Sequence, residues 1–213
     1  QIAIISCQTR LLKRPLLSTR RLIPFFLVRN CKKKMTKEIF TPHAMAKMAT
    51  CVALISIGGY IAFPTPFSPV LVTATTLALG ITALVLPPKQ TAVAILVWIL
   101  LGAVGIPVFS GGQGGIGKLL GPSGGFFPGF WLGYVGVSLL KGSKYDWKRY
   151  LLVLLVVAFP FTYAFGIAYL MCALHIEMWQ AMTMAMFSFI PGDILKALAA
   201  AFLGVRLNKV LPH

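Results

Sequence analysis

Six apolar segments follow one another along the chain, most of them close to the ~20 residues that a helix needs to cross ~30 Å of hydrocarbon. They run from Ala44 to Phe63, Val70 to Leu86, Thr91 to Phe109, Phe126 to Leu140, Tyr150 to Leu174 and Met178 to Leu207. Such a chain has few ways to fold. In lipid every backbone N–H and C=O must find its partner inside the protein, and a helix satisfies nearly all of them within one segment. Only 11% of the residues are charged, against about a quarter in soluble domains. The sequence therefore predicts an all-α integral membrane protein with six transmembrane helices.

The net charge of +16 could suggest nucleic acid, but its distribution points to membrane topology and to no nucleic-acid partner. Lys37, Lys47, Lys89, Lys141, Lys144, Lys148, Arg149, Arg206 and Lys209 fall at the start, after the second and fourth segments, and at the end, while the opposite loops hold only Lys118. Basic residues stay on the cytoplasmic side, so both termini are expected there. Residues 1–34 carry nine basic residues, from Arg10 to Lys34, and no acid. They read as a basic, disordered extension or as translated sequence upstream of a start at Met35, with residues 35–213 forming the six-helix transmembrane domain.

Between the third and fourth segments lies Ser110–Gly125, which holds eight of the 20 glycines: 111, 112, 114, 115, 117, 121, 124 and 125. Glycine admits positive φ and close backbone approach at an entropic cost, so the cluster implies either a ligand-facing turn or a tightly packed re-entrant one. Gly112, Gly117 and Lys118 match a phosphate-binding G-x-x-x-x-G-K, but Leu119 stands where the magnesium-holding Ser or Thr belongs and no βαβ context follows. The charge pattern places this loop on the outer face, away from cytoplasmic ATP.

The last apolar stretch is too long for one span, and Pro191-Gly192-Asp193 interrupts it, with Asp193 as the expected N-cap of a new helix. Asp193 and Lys196 are three residues apart on one helix face. They either form a ligand site or pair with each other; ionisable groups at membrane depth favour the first. Phe109, Phe126, Phe127, Phe130, Trp131 and Tyr134 gather toward the same end, as a pocket wall or as an interfacial belt. Gly125, Gly129 and Gly133 recur every fourth residue and predict close helix contact; Ala46, Ala49 and Ala53 mark a face of the first segment that suits packing or a partner. Cys7, Cys31, Cys51 and Cys172 show no C-x-x-C and read as free thiols. His43, His175 and His213 lack ligand spacing, and no catalytic motif appears, so no enzyme, metal or cofactor is expected.

Several of these stretches together resemble BioY, the biotin-binding S component of energy-coupling-factor (ECF) vitamin importers. The resemblance is carried by Phe63-Pro64-Thr65-Pro66-Phe67-Ser68-Pro69-Val70, by Leu101–Phe109, by the Gly-Gly-x-Gly-Gly loop with Leu120–Gly125, and by Phe189-Ile190-Pro191-Gly192-Asp193 with Lys196. It implies a six-helix S-component-like bundle in a bacterial cytoplasmic (inner) membrane, multi-pass among the lipids. It also implies biotin contacts from Asp193, Lys196, Gln113, Gly111, Gly112, Gly114, Gly115, Phe126 and Phe127. The family usually has Asn or a small residue where this chain has Gln113, and often a polar or basic residue where it has Phe127. A docking face for the transmembrane coupling (T) subunit is implied at Ala49 and Ala53, with two ATPase subunits supplying energy. A stand-alone transporter coupled to protons through Asp193 is the competing expectation.

Overall fold

The computed structural model describes residues 41–65, 68–142, 146–187 and 189–210, so the extension at 1–34 lies outside the described residues. Thr41 accepts a hydrogen bond from the Ala44 N–H and, with Pro42 behind it, starts α1 (Pro42–Tyr60). A hairpin of β1 (Ala62–Thr65) and β2 (Ser68–Thr73) follows, then α2 (Thr75–Val85) and α3 (Pro88–Ala103). The glycine loop holds the short α4 (Ile116–Leu120) and leads into α5 (Phe126–Leu140). Asp146 caps α6 (Trp147–Leu174), and α7 (Met178–Phe187) and α8 (Ile190–Val210) complete the bundle.

The hairpin departs from the all-helical expectation. Prolines at 64, 66 and 69 cannot donate into a helix, and the stretch Val70-Leu71-Val72-Thr73, with β-branched side chains at 70, 72 and 73, suits a strand. The strands pair antiparallel, Ala62 with Thr73 and Phe63 with Val72, with an irregularity next to Pro64. Part of the second apolar segment is thus strand, and α2 has 11 residues.

Two π-helical turns occur, Leu154–Ala158 in α6 and Thr183–Phe187 at the end of α7, and the first is followed within the same helix by Pro160. There a widened turn makes room for a ring that has no N–H to offer. The last span is broken, with α7 and α8 meeting at 40°. The break falls earlier than expected: Pro191 and Gly192 sit inside the first turn of α8, and the Asp193 N–H donates to Phe189 C=O at 2.9 Å. Asp193 is therefore a first-turn residue rather than the N-cap. Proline is tolerated there because a first-turn N–H has no intrahelical partner to lose.

Small residues bring the helices together. The Gly125, Gly129 and Gly133 stripe of α5 lies on α6; a Cβ at Gly129 would come within 2.9 Å of Thr162 Cα, and one at Gly133 within 3.1 Å of Ala158 C=O. On α8, Ala200 sits where a Cβ on Gly80 of α2 would be 3.0 Å away. The core so formed includes Ile55, Leu79, Leu84, Ile95, Trp98, Phe109, Val137 and Leu154. Large apolar side chains also cover the outside, among them Leu100, Leu152, Val156, Leu195 and Phe202. An apolar surface of this extent belongs in lipid rather than water. By length and composition, α6 is one span, with 28 residues and a mean hydropathy of 2.3 over an 18-residue stretch, and the bent α7–α8 pair qualifies together; α2, α3 and α5 are apolar but shorter.

Candidate functional site

Thr76 in the first turn of α2, Tyr163 on α6 and Lys196 on α8 converge on Asp193, which is only 5% exposed. Thr76 Oγ1 donates to Asp193 Oδ1 at 3.1 Å, Lys196 Nζ to the same oxygen at 3.0 Å, and the Tyr163 hydroxyl to Oδ2 at 2.9 Å. The Tyr134 hydroxyl donates to Thr76 C=O at 3.2 Å and holds the start of α2 in place. A carboxylate taken out of water needs such company, because the desolvation penalty is otherwise larger than the attraction of one counter-charge.

The cluster is not saturated. A carboxylate offers about four acceptor positions and an ammonium three donors. Asp193 uses three of its positions, with both hydrogen bonds of Oδ1 taken, and Lys196 donates one hydrogen bond, to Asp193. What remains is an acceptor position on Oδ2 and donors on Lys196, side by side. These face a cavity of about 60 Å³ whose walls include Val70, Leu71, Trp98, Phe126, Phe127, Phe130 and Phe189. Thr73, Thr75, Ser110, Ser123 and Thr162 add hydroxyls to the lining. Thr162 Oγ1 is buried with no hydrogen-bond partner among the described residues. Buried polar atoms without partners are rare, and one facing a cavity is a vacant hydrogen-bonding position.

Asp193, Lys196, Phe126 and Phe127 are thus brought together on the wall of one cavity. The glycine loop is placed differently: Ser110 and Ser123 are its residues on the cavity wall, while Gln113 and Gly114 line an outer recess with Gly117, Lys118, Gly121, Pro122 and, again, Ser123. Gly111, Gly112 and Gly115 line neither. Their N–H groups are engaged inside the fold, Gly111 with Gly59 C=O at 2.8 Å, Gly112 with Phe109 C=O at 3.1 Å and Gly115 with Gly102 C=O at 2.6 Å. All three have positive φ, which explains the glycines without a ligand. The loop clasps α1 and α3 and seats Phe109, fully buried, against Trp98 and Phe127 at ring-centroid distances of 5.4 and 4.6 Å. It acts on the cavity through that aromatic wall.

Thr76, Thr162 and Tyr163 were not legible beforehand. Threonine and tyrosine are common in apolar helices, and nothing in their spacing singles out these three. Ala49 and Ala53 lie on an exposed face of α1 with Ala46 and Thr50. Of the cysteines, Cys51 is buried and Cys172 exposed, both free, and Cys7 and Cys31 lie outside the described residues. No group of potential metal ligands occurs among the described residues.

A helical bundle with lipid-suited flanks and an unsaturated ion pair facing an aromatic cavity defines a small-molecule-binding membrane protein. The chain matches the model of the BioY family over residues 32–213. It is 32% identical over 172 residues to the probable biotin transporter BioY of Bacillus subtilis, covering 78% of this chain and 91% of that protein. The biotin transporter BioY of Thermotoga maritima is also 32% identical, over 166 residues, with 78% and 96% covered. Among solved structures, the chain resembles the crystal structure of the S-component for biotin from an ECF-type ABC transporter. The TM-score is 0.72 at 25% identity, over 80% of this chain and 95% of that one. The chain belongs to the BioY family.

Proposed function

We propose that this protein captures biotin and carries it across the membrane as the substrate-binding subunit of an ECF-type importer. The observation that carries the reading is the unsaturated Asp193–Lys196 pair beside Thr162 in an aromatic cavity. Biotin's ureido ring has two N–H donors flanking one carbonyl. Asp193 Oδ2 takes one N–H, Thr162 Oγ1 the other, and Lys196 donates to the carbonyl; the phenylalanines and Trp98 receive the thiolane ring and the start of the tail. No covalent step is involved, and no cofactor is required.

The bundle crosses a bacterial inner membrane six times, by α1, β2–α2, α3, α5, α6 and the α7–α8 pair, with both termini cytoplasmic. The basic residues at its ends and the family membership support this arrangement. Residues 35–213 form the substrate-binding domain, a division supported by a family match that begins at residue 32. Ala49 and Ala53 are the docking face for the T subunit, supported by their exposure on α1 and by the S-component likeness. Two ATPase subunits supply the energy.

Uptake of labelled biotin by cells producing this chain tests the reading. It should depend on the ATPase subunits and be abolished in Asp193→Ala, while Ala49→Trp should spare biotin binding but block assembly with the T subunit. Uptake that persists without ATPase subunits yet collapses with an uncoupler would instead establish proton-coupled secondary transport.

A further inference from the structure

The cavity leaves one part of the ligand without a counterpart. Inside it, Asp193 and Lys196 neutralise each other at 3.0 Å, and the remaining lining consists of hydroxyls and apolar or aromatic surface. An ionised carboxylate forced into such surroundings would lose its hydration with no cation to replace it. The tail of the ligand must therefore end elsewhere.

The outer recess meets the cavity at Ser123, which lines both. Lys118 stands in that recess beside Gln113. It is half-buried, and partial burial lowers its pKa from the ordinary lysine value. Among the described residues it has no acidic partner: Asp193 is paired with Lys196, and Asp146 and Glu177 lie in other connections. An ammonium partly withdrawn from water and not ion-paired is a standing position for an anion.

We infer that Lys118 is the carboxylate-recognising residue of this protein, holding the ionised tail of the ligand in the outer recess while its head lies on Asp193. The inference rests on the biotin reading and assigns a charge-specific subsite within it. Binding then selects for a free acid: a neutral ligand of the same shape keeps the head contacts and loses the outer one. Lys118 is outside the Asp193 cluster, so its removal should leave recognition of the head intact.

Calorimetric titration of the purified full-length protein with biotin and with biotin amide, whose tail is neutral, tests this. The native protein should bind biotin about tenfold or more tightly than the amide, in line with the loss of one charge-assisted contact. Lys118→Gln should weaken biotin by about that factor and leave the amide unchanged, so that the two ligands converge, and Lys118→Arg should restore the preference. Lys118→Gln that keeps the full preference for biotin, or that weakens both ligands equally, overturns the assignment while leaving the biotin reading standing. A native protein that binds neither ligand overturns the biotin reading, and the inference with it.

Discussion

Two buried polar clusters sit at opposite ends of α2, and both contain a lysine. At the far end, Lys141 Nζ donates to Ala83, Leu84 and Leu86 C=O at 3.1, 2.7 and 2.7 Å, capping the helix where its carbonyls run out of partners. Burial lowers its pKa to about 8, so at pH 7 it keeps the proton those bonds need. Ser138 and Asn208 donate to Leu86 and Leu84 C=O in the same cluster. At the near end, Lys196 donates to Asp193 beside an unpartnered Thr162 hydroxyl and a cavity. All three donors of Lys141 are spent on backbone. Lys196 is paired to a carboxylate that still has a position to offer. Burial of polar groups is common to both clusters, so burial does not mark the site; unused hydrogen-bonding capacity next to open space does.

That contrast breaks if the two lysine clusters respond alike to substitution. Asp193→Ala should have the largest effect: removing one partner of a buried, hydrogen-bonded charge pair should weaken biotin by about 100-fold or more, read by titration. Lys141→Met should lower stability by about 2 kcal/mol in thermal or denaturant unfolding, because it strands buried carbonyls, and should leave biotin affinity unchanged. Thr162→Val sharpens the comparison further. It should reduce biotin affinity by about tenfold while stability holds or rises, since it removes a hydroxyl that has no partner in the unliganded protein. A Thr162→Val protein that is destabilised and binds biotin normally would move this residue to the structural side.

The site was half legible in the sequence, and the two halves differ in kind. Asp193 and Lys196 stand out because charge is rare in an apolar helix, and their three-residue spacing already places them together. Thr76 and Tyr163 reach Asp193 only through packing of three helices, across separations of 117 and 30 residues. The glycine loop shows the converse. Its composition was conspicuous, yet its N–H groups serve Gly59, Gly102 and Phe109, and its consequence for the cavity is an aromatic ring. Glycine content reports a backbone that must turn tightly, and it does not say toward what. The apolar segments that end at Phe63 and start at Val70 leave only a short connection between two helices, but prolines that exclude helix leave strand open, and β2 carries Val70 and Leu71 to the cavity wall.

The central claim is that the Asp193–Lys196 pair, rather than any other polar group in the bundle, recognises the vitamin's head. Calorimetric titration of the purified protein with biotin and with a biotin analogue methylated on both ureido nitrogens measures this directly. The account predicts a one-to-one biotin complex in roughly the nanomolar range, weak or no binding of the methylated analogue, and loss of the distinction in Asp193→Ala. Equal affinity for the two ligands in the native protein, or biotin binding untouched by Asp193→Ala, would contradict it.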